Sequence, residues 1–453
     1  MEVRVQVPAR RTLLPVLGVG FGIAVTIGNT IGAGIFRTPG EVAAHLPSPS
    51  LFMAAWAVGG LYALLGAIQM AELGTMLPKS GGQYVFSRYA LGEYPGFIVG
   101  WSDWLSTCGT TAAVSLVVGE FASLLFPALR DQQVLIAVVT AIVFAVAQWR
   151  GVRDGSAVQA TTSVLKVLAF GALVVAAFAH GGATGISNAA SASNAPTGLA
   201  LVAAFVLSLQ AVIYTYDGWT GVIYFSEEVT RPDTDIPRSL IGSVLAIIAT
   251  YLLVNLTFMH VLPLSAIAGE TFAATAVARA IFGELGTPIL SAVTIVSLLS
   301  AVNSNHLMAS RVLYALGRDG LVSAHAATVN DGGTPTFALM VSTVVAILFI
   351  LFGQTFGAVI TVLSFFFVAN YTLSFISVFL LRCREPERPR PYRAWGYPWT
   401  TALALVGSIA FLAGAIASDT RNSAYALMLL AASYPAYRMV KASGPRPQGP
   451  GLG

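Results

Sequence analysis

The sequence predicts an all-α integral membrane protein of twelve transmembrane helices, built as a 5+5 inverted repeat with helices one and six discontinuous. Three observations predict it. Only 10% of the residues are charged against 56% hydrophobic, and mean hydropathy is +0.76; soluble domains carry about 25% charged residues. Apolar runs of about 20 residues, enough to cross a bilayer core as helix, recur along the chain. Two of these runs, five spans apart, are interrupted near their middles by glycine and polar residues.

The runs fall at about 14–45, 50–77, 95–126, 132–149, 157–180, 199–226, 237–262, 286–317, 334–353, 355–382, 398–418 and 422–440. The start "MEVRVQVPARRTLL" puts arginines before an apolar run, as signal peptides do, but the run continues to spanning length without a small-residue cleavage site. It reads as a retained first helix. The whole is one transmembrane domain. Repeat one covers about 14–180 and repeat two about 199–382. Helices eleven and twelve cover about 398–440, and a Pro/Gly-rich tail, 442–453, is expected to be disordered. The starts of the first and sixth spans are separated by five spans, an odd number, so the second unit enters from the opposite side.

Lysine and arginine in alternate loops set the orientation. With a cytoplasmic N-terminus, only Arg130, Arg279 and Arg421 of the 24 basic residues fall outside, while Arg37 and Lys166 remain within helices. Both termini are therefore expected in the cytoplasm, and the net charge of +4 is positive-inside bias rather than a nucleic-acid surface. Cys108 and Cys383 differ in depth and have no metal-type spacing, so neither a disulfide nor a metal is expected.

The first interruption is "GNTIGAG" (28–34) and the second "YTYDGWTG" (214–221). Lipid offers no hydrogen bonds, so unwound backbone at membrane depth survives only where it lines a cavity or is buried in protein. Unwinding near Gly32 would free the amides of Ala33, Gly34 and Ile35 at a positive helix end, which suits a carboxylate. Carbonyls before Gly32 and across Tyr214–Trp219 would suit an ammonium. A ligand bearing both on one carbon is an α-amino acid. The alternative is that the glycines only let helices pack closely, as small-xxx-small motifs do.

Lys166, inside the fifth span, is costly in lipid and so marks function: a proton carrier, or a fixed cation on carbonyls of the broken first helix, unless it snorkels to the interface. Asp217 could bind a cation, take a proton or cap the following half-helix. Glu72, Asp103 and Glu120 are expected to form structural pairs. The polar run Asn303–His306 should face the interior, with helix–helix hydrogen bonding its expected use. Two short amphipathic stretches, 80–92 and 263–283, read as surface helices or packed connectors. No nucleotide-binding, metal or nucleophile motif holds up, since "GVGFG" (18–22) has no strand before it. No enzyme and no cofactor are expected.

Several motifs together carry a family resemblance. "GNTIGAGIF" is similar to the first-helix signature of the amino acid–polyamine–organocation superfamily. So are "AELGTMLPKSGGQY" (71–84), "YDGW" with "SEEVTRPDTDIPRSL", "SRVLYALGRDG" (310–320) and "RPYRAWGYPW" (390–399). They stand in the family's order over almost the whole chain and are most like bacterial members of the L-type amino acid transporter branch. The resemblance implies a leucine-transporter-like fold, with the amides of Ala33 and Gly34 on the substrate carboxylate. Carbonyls of Thr30, Tyr214 and Asp217 would take the amino group, Tyr214 would gate the site and Trp219 would stand beside it. Lys166 matches a lysine that takes the place of sodium in sodium-independent relatives. Two departures stand out. The family's first-helix serine is Ala33 here, and the outer loop "FPALRDQQ" (126–133) lacks the cysteine that joins animal members to a glycoprotein, so no heavy-chain partner is expected.

The expectation is a multi-pass transporter of the cell membrane that moves small or medium neutral L-amino acids by sodium-independent exchange or proton symport. One alternative is a cationic amino acid or polyamine carrier with Asp217 as counter-charge. Another, of a different class, is a membrane amino acid sensor that does not transport.

Overall fold

The computed structural model describes residues 12–179, 196–353, 356–418 and 420–443. Arg4, Arg10, Arg11 and positions 444–453 of the expected disordered tail lie outside the described residues, while 442–443 close the last helix. The chain runs α1 (Val19–Thr30), α2 (Gly34–His45), α3 (Pro49–Met76), α4 (Gln83–Leu91), α5 (Glu93–Leu125) and α6 (Gln133–Trp149). It continues through α7 (Val152–Ala179), α8 (Gly198–Tyr216), α9 (Pro232–Val261), α10 (Leu264–Ile267), α11 (Ala273–Phe282) and α12 (Gly286–Arg318). The last elements are α13 (Thr336–Gly353), α14 (Phe356–Arg384), α15 (Trp399–Ser418), α16 (Thr420–Ala431) and α17 (Ser433–Ser443).

Among the described residues there is no strand, only one isolated parallel bridge between Leu17 and Val229. Ten helical stretches are long and apolar enough to cross a membrane, or eleven when α1 and α2, bent by 46° across a short break, count as one. The stretch expected as a twelfth span is divided at Ala432 into α16 and α17, of 12 and 11 residues, each too short to cross alone.

Burial follows composition. The central apolar stretch of α5 is 78% buried, against 28% for the stretch containing α6 and 22% for α15. α5 therefore runs through the middle, and α6 and α15 show apolar flanks to their surroundings. α12 carries the polar run Asn303–His306 fully inside. Asn303 is partnered across helices: Gln148 Nε2 donates to Asn303 O at 2.9 Å and Asn303 Nδ2 to Gln159 Oε1 at 2.9 Å, while Ser304 and His306 bond within α12. Such cross-helix bonds contribute about 0.6 kcal/mol each in membrane proteins. An aromatic group, Trp56 on α3, Tyr216 on α8 and Tyr251 on α9, packs edge-on and tilted behind the second break, with ring centroids 4.9–6.2 Å apart.

The two amphipathic stretches are connectors packed inward. α4 buries Gln83, Tyr84, Val85, Phe86, Ser87 and Ala90, and α11 buries Ala273, Ala274, Val277, Ala278 and Ile281.

Candidate functional site

The first break follows from three residues. α1 stops at Thr30, Gly32 N–H turns back to Thr30 O at 2.9 Å, and α2 restarts at Gly34 with no side-chain cap. A helix start leaves its first amides without an intrahelical acceptor and carries the positive end of the dipole. The three glycines serve different ends. A side chain on Gly28 would collide with Gln159 and one on Gly34 with Thr215, so those two allow close packing, while Gly32 has nothing nearer than 3.9 Å and faces open space.

The second break begins where α8 ends at Tyr216. Gly218 takes φ +100°, a conformation side chains disfavour, and a Cβ there would also meet Asn29 Nδ2 at 2.6 Å. The chain then forms a tight 3-10 turn, Gly221–Phe225. Neither span is wound continuously through its glycine region.

Both breaks open onto one polar cavity of about 50 Å³, measured as room for the centre of a water-sized sphere. Its wall includes Thr30, Gly32, Ala33, Gly34, Tyr214 and Asp217. Trp219 is not in the wall. It is 2% exposed and stacks on Tyr371, which is in the wall, at 4.9 Å between centroids. Lys166 is also behind the wall: fully buried, its Nζ donates to Gly28 O at 2.8 Å and Ile31 O at 2.5 Å. The ammonium thus sits on the carbonyls released where α1 ends, rather than snorkelling to an interface.

Other residues complete the site. Tyr251 donates its hydroxyl to Thr30 O at 2.8 Å and Thr215 O at 3.1 Å, tying the two breaks together. Asn305 Nδ2 reaches Asn29 Oδ1 at 2.8 Å, and Asn29 Nδ2 reaches Gly218 O at 3.4 Å. Tyr214 O accepts one bond, from Asp217 N–H at 3.0 Å, whereas Thr30 O already accepts both Gly32 N–H at 2.9 Å and the Tyr251 hydroxyl. A carbonyl has two lone pairs, so one remains on Tyr214 O. The hydroxyls of Thr30 and Thr110, both lining the cavity, have no partner among the described residues. The polar run 303–306 announced Asn305 in the sequence. Thr110 and Tyr251 carried no signal beyond being polar-tipped residues in apolar helices.

Among the charged groups, Glu72 pairs with Arg382 at 2.7 Å and Arg390 at 3.2 Å, and Glu120 pairs with Arg37. Asp103 departs from the expected structural pairing: its Oδ1 accepts from Tyr224 at 2.8 Å, and no ion pair among the described residues includes it. Asp217 accepts a short hydrogen bond from Tyr371. On the side of the cavity where α2 runs, Arg37 lies over the Phe272 ring at 4.4 Å. On the side where α1 begins, Arg311 forms a two-pronged pair with Glu228, both bonds 3.0 Å and both side chains fully buried.

Paired helix breaks that open onto a small polar cavity within an apolar bundle have the geometry of a membrane carrier. The chain belongs to the amino acid permease family, whose model matches residues 22–434, and with it to the amino acid–polyamine–organocation superfamily. It is 27% identical to the serine/threonine exchanger SteT of Bacillus subtilis (strain 168), over 94% of this chain and 96% of that one. It is 25% identical to the b(0,+)-type amino acid transporter 1 of Homo sapiens, over 86% and 81% of the two chains. To the Asc-type amino acid transporter 1 of Mus musculus it is 26% identical, over 83% and 72%.

Proposed function

We propose that the chain moves small or medium neutral L-amino acids across the cell membrane by alternating access, without sodium. The observation that carries this reading is the single cavity onto which both helix breaks open. Amides of Ala33 and Gly34 at the start of α2 take the substrate carboxylate. The remaining lone pair of Tyr214 O, with the carbonyls of Thr30 and Asp217, takes the ammonium. Tyr214 closes over the side chain, and Trp219 acts from behind by holding Tyr371. The limited volume and the free threonine hydroxyls favour small substrates such as serine, threonine or alanine, and the similarity to a serine/threonine exchanger supports that choice.

The Lys166 ammonium supplies in covalent form the positive charge that a sodium ion would otherwise bring to those carbonyls. The rest of the reading is architectural: twelve spans with α16 and α17 as the last, a 5+5 inverted repeat pairing the two broken spans, both termini cytoplasmic, and no heavy-chain partner. A cationic substrate would need a free carboxylate in the wall, and Asp217 already holds the Tyr371 hydroxyl. The test is radiolabelled L-serine counterflow into proteoliposomes of the purified protein. Trans-stimulated uptake equal in sodium and choline buffers is expected; uptake that requires sodium, or no uptake of any proteinogenic amino acid, refutes it.

A further inference from the structure

Asp103 is a buried ionisable group that the binding geometry leaves unused. It sits in the middle of the bundle on α5, 2% exposed. Oδ1 accepts the Tyr224 hydroxyl, and Oδ2 has no hydrogen-bond partner among the described residues. A carboxylate buried with neither a cation nor a full set of donors is strongly disfavoured, whereas the neutral acid is tolerated. Ionisable residues inside a membrane bundle mark proton or ion paths.

The surroundings leave its charge uncompensated. Its electrostatic neighbours are Tyr224, from the turn after the second break, and Asp217, of like sign. On α14, Tyr371 is bound to Asp217 and Arg382 to Glu72. On α12, Arg311 is bound to Glu228, and His306 Nδ1 lies 3.2 Å from its own helix at Val302 O. On α4, Tyr84 and Arg88 reach Asp319. At the start of α5, Glu93 is held by Tyr437 and Lys441 from α17. α6 and α13 contain no titratable side chain.

Tyr224 makes this acid responsive to transport. Its side chain lines the cavity and lies on the broken second span, while Asp103 lies on the continuous α5. A rearrangement that moves Tyr224 changes the one hydrogen bond that the Asp103 carboxyl holds among the described residues.

We propose that Asp103 is a proton-binding site whose proton crosses with the substrate, making the carrier a proton symporter. This rests on the amino acid transport reading above. In the arrangement described above Asp103 is the neutral acid, with Tyr224 donating to Oδ1 and the proton on Oδ2. When the broken span reopens and water reaches the group, the O–H bond breaks, the electron pair stays on the carboxylate and the proton passes to water on the releasing side. Reprotonation from the opposite face resets the site.

The test is L-serine accumulation in proteoliposomes under an imposed pH gradient, acid outside. One proton per serine lets a one-unit gradient support up to about tenfold accumulation, with matching acidification of the lumen. D103N is expected to equilibrate serine without accumulation or acidification, while D103E accumulates as the wild type does. Serine-induced thermal stabilisation of D103N shows that the variant is folded. Y224F gives a second readout independent of D103N folding: losing a donor to the ionised form raises the carboxyl's proton affinity, so the pH midpoint of uptake moves upward. Accumulation by D103N equal to wild type, an unmoved or lowered midpoint in Y224F, or wild-type counterflow with no proton-driven accumulation overturns the proposal. Absence of counterflow in the wild type defeats the transport reading itself, and this one falls with it.

Discussion

Lys166 shows how much one side chain decides. Its ammonium satisfies two carbonyls that lost their helical partners where α1 stops, and each unpaired buried carbonyl costs about 1–3 kcal/mol. Lys166→Met, which keeps the stem and removes the charge, should cut uptake by more than an order of magnitude in sodium-free and sodium-containing buffer alike. Uptake at the wild-type rate would show that the charge is dispensable. Tyr251→Phe deletes one hydroxyl from Thr30 O and Thr215 O. A lower melting temperature and a raised KM for serine are expected, the stability loss being about 1–2 kcal/mol for two neutral bonds; an unchanged KM would mean that the tie does not shape the site. Lys166 and Asp217 were legible in the sequence because charge in an apolar run is costly and so stands out. Tyr251 was not, since a tyrosine in an apolar helix reveals nothing about where its hydroxyl points. The resemblance put Trp219 beside the site, and after the turn at Gly218 it lies behind the wall against Tyr371. Asp103 was expected to form a structural pair, and only the packing of α5 against the second break shows that the partner is the Tyr224 hydroxyl.

At the scale of the element, the interruptions could be read directly, because glycine weakens a helix by about 1 kcal/mol per residue. Their separate uses could not. Spacing does not say which glycine meets a neighbouring helix and which faces a cavity, and the three in the first break divide between both. A contrast of two substitutions tests this. Gly34→Ala drives a Cβ to 2.8 Å from Thr215 Cγ2, so the start of α2 must shift and serine uptake should fall at least tenfold. Gly20→Ala, on the exposed side of α1 with nothing within 4 Å, should leave uptake intact and raise stability by up to about 1 kcal/mol. Equal losses from both would mean that the helix halves tolerate no change at all and that close approach to Thr215 is not the reason. The division of the last apolar stretch into α16 and α17 was hidden for a related cause: "LLAASYPAY" carries no charge to mark a stop, and its proline follows the division instead of standing at it.

At the scale of the whole molecule, the bundle keeps its polar groups inside and its apolar flanks outside, with α5 and α12 as the buried centre. The Arg311–Glu228 pair links α12 to the segment after the second break, where Leu17 also exchanges backbone hydrogen bonds with Glu228 and Thr230. Removing one partner of a buried pair costs about 3–5 kcal/mol because the other charge is stranded. Arg311→Met should therefore lower the melting temperature sharply, and the double change with Glu228→Gln should recover most of the loss. A single variant as stable as the wild type would place the pair in water instead. The central claim, that bare peptide groups at two helix breaks hold both ends of an amino acid, is tested most directly by competition against radiolabelled L-alanine counterflow. The competitors are propionate, ethylamine and alanine methyl ester, each of which lacks one charge of the zwitterion. The account predicts that unlabelled L-alanine competes and that none of the three does at a hundredfold higher concentration. Competition by any one of them at the concentration effective for alanine would contradict it.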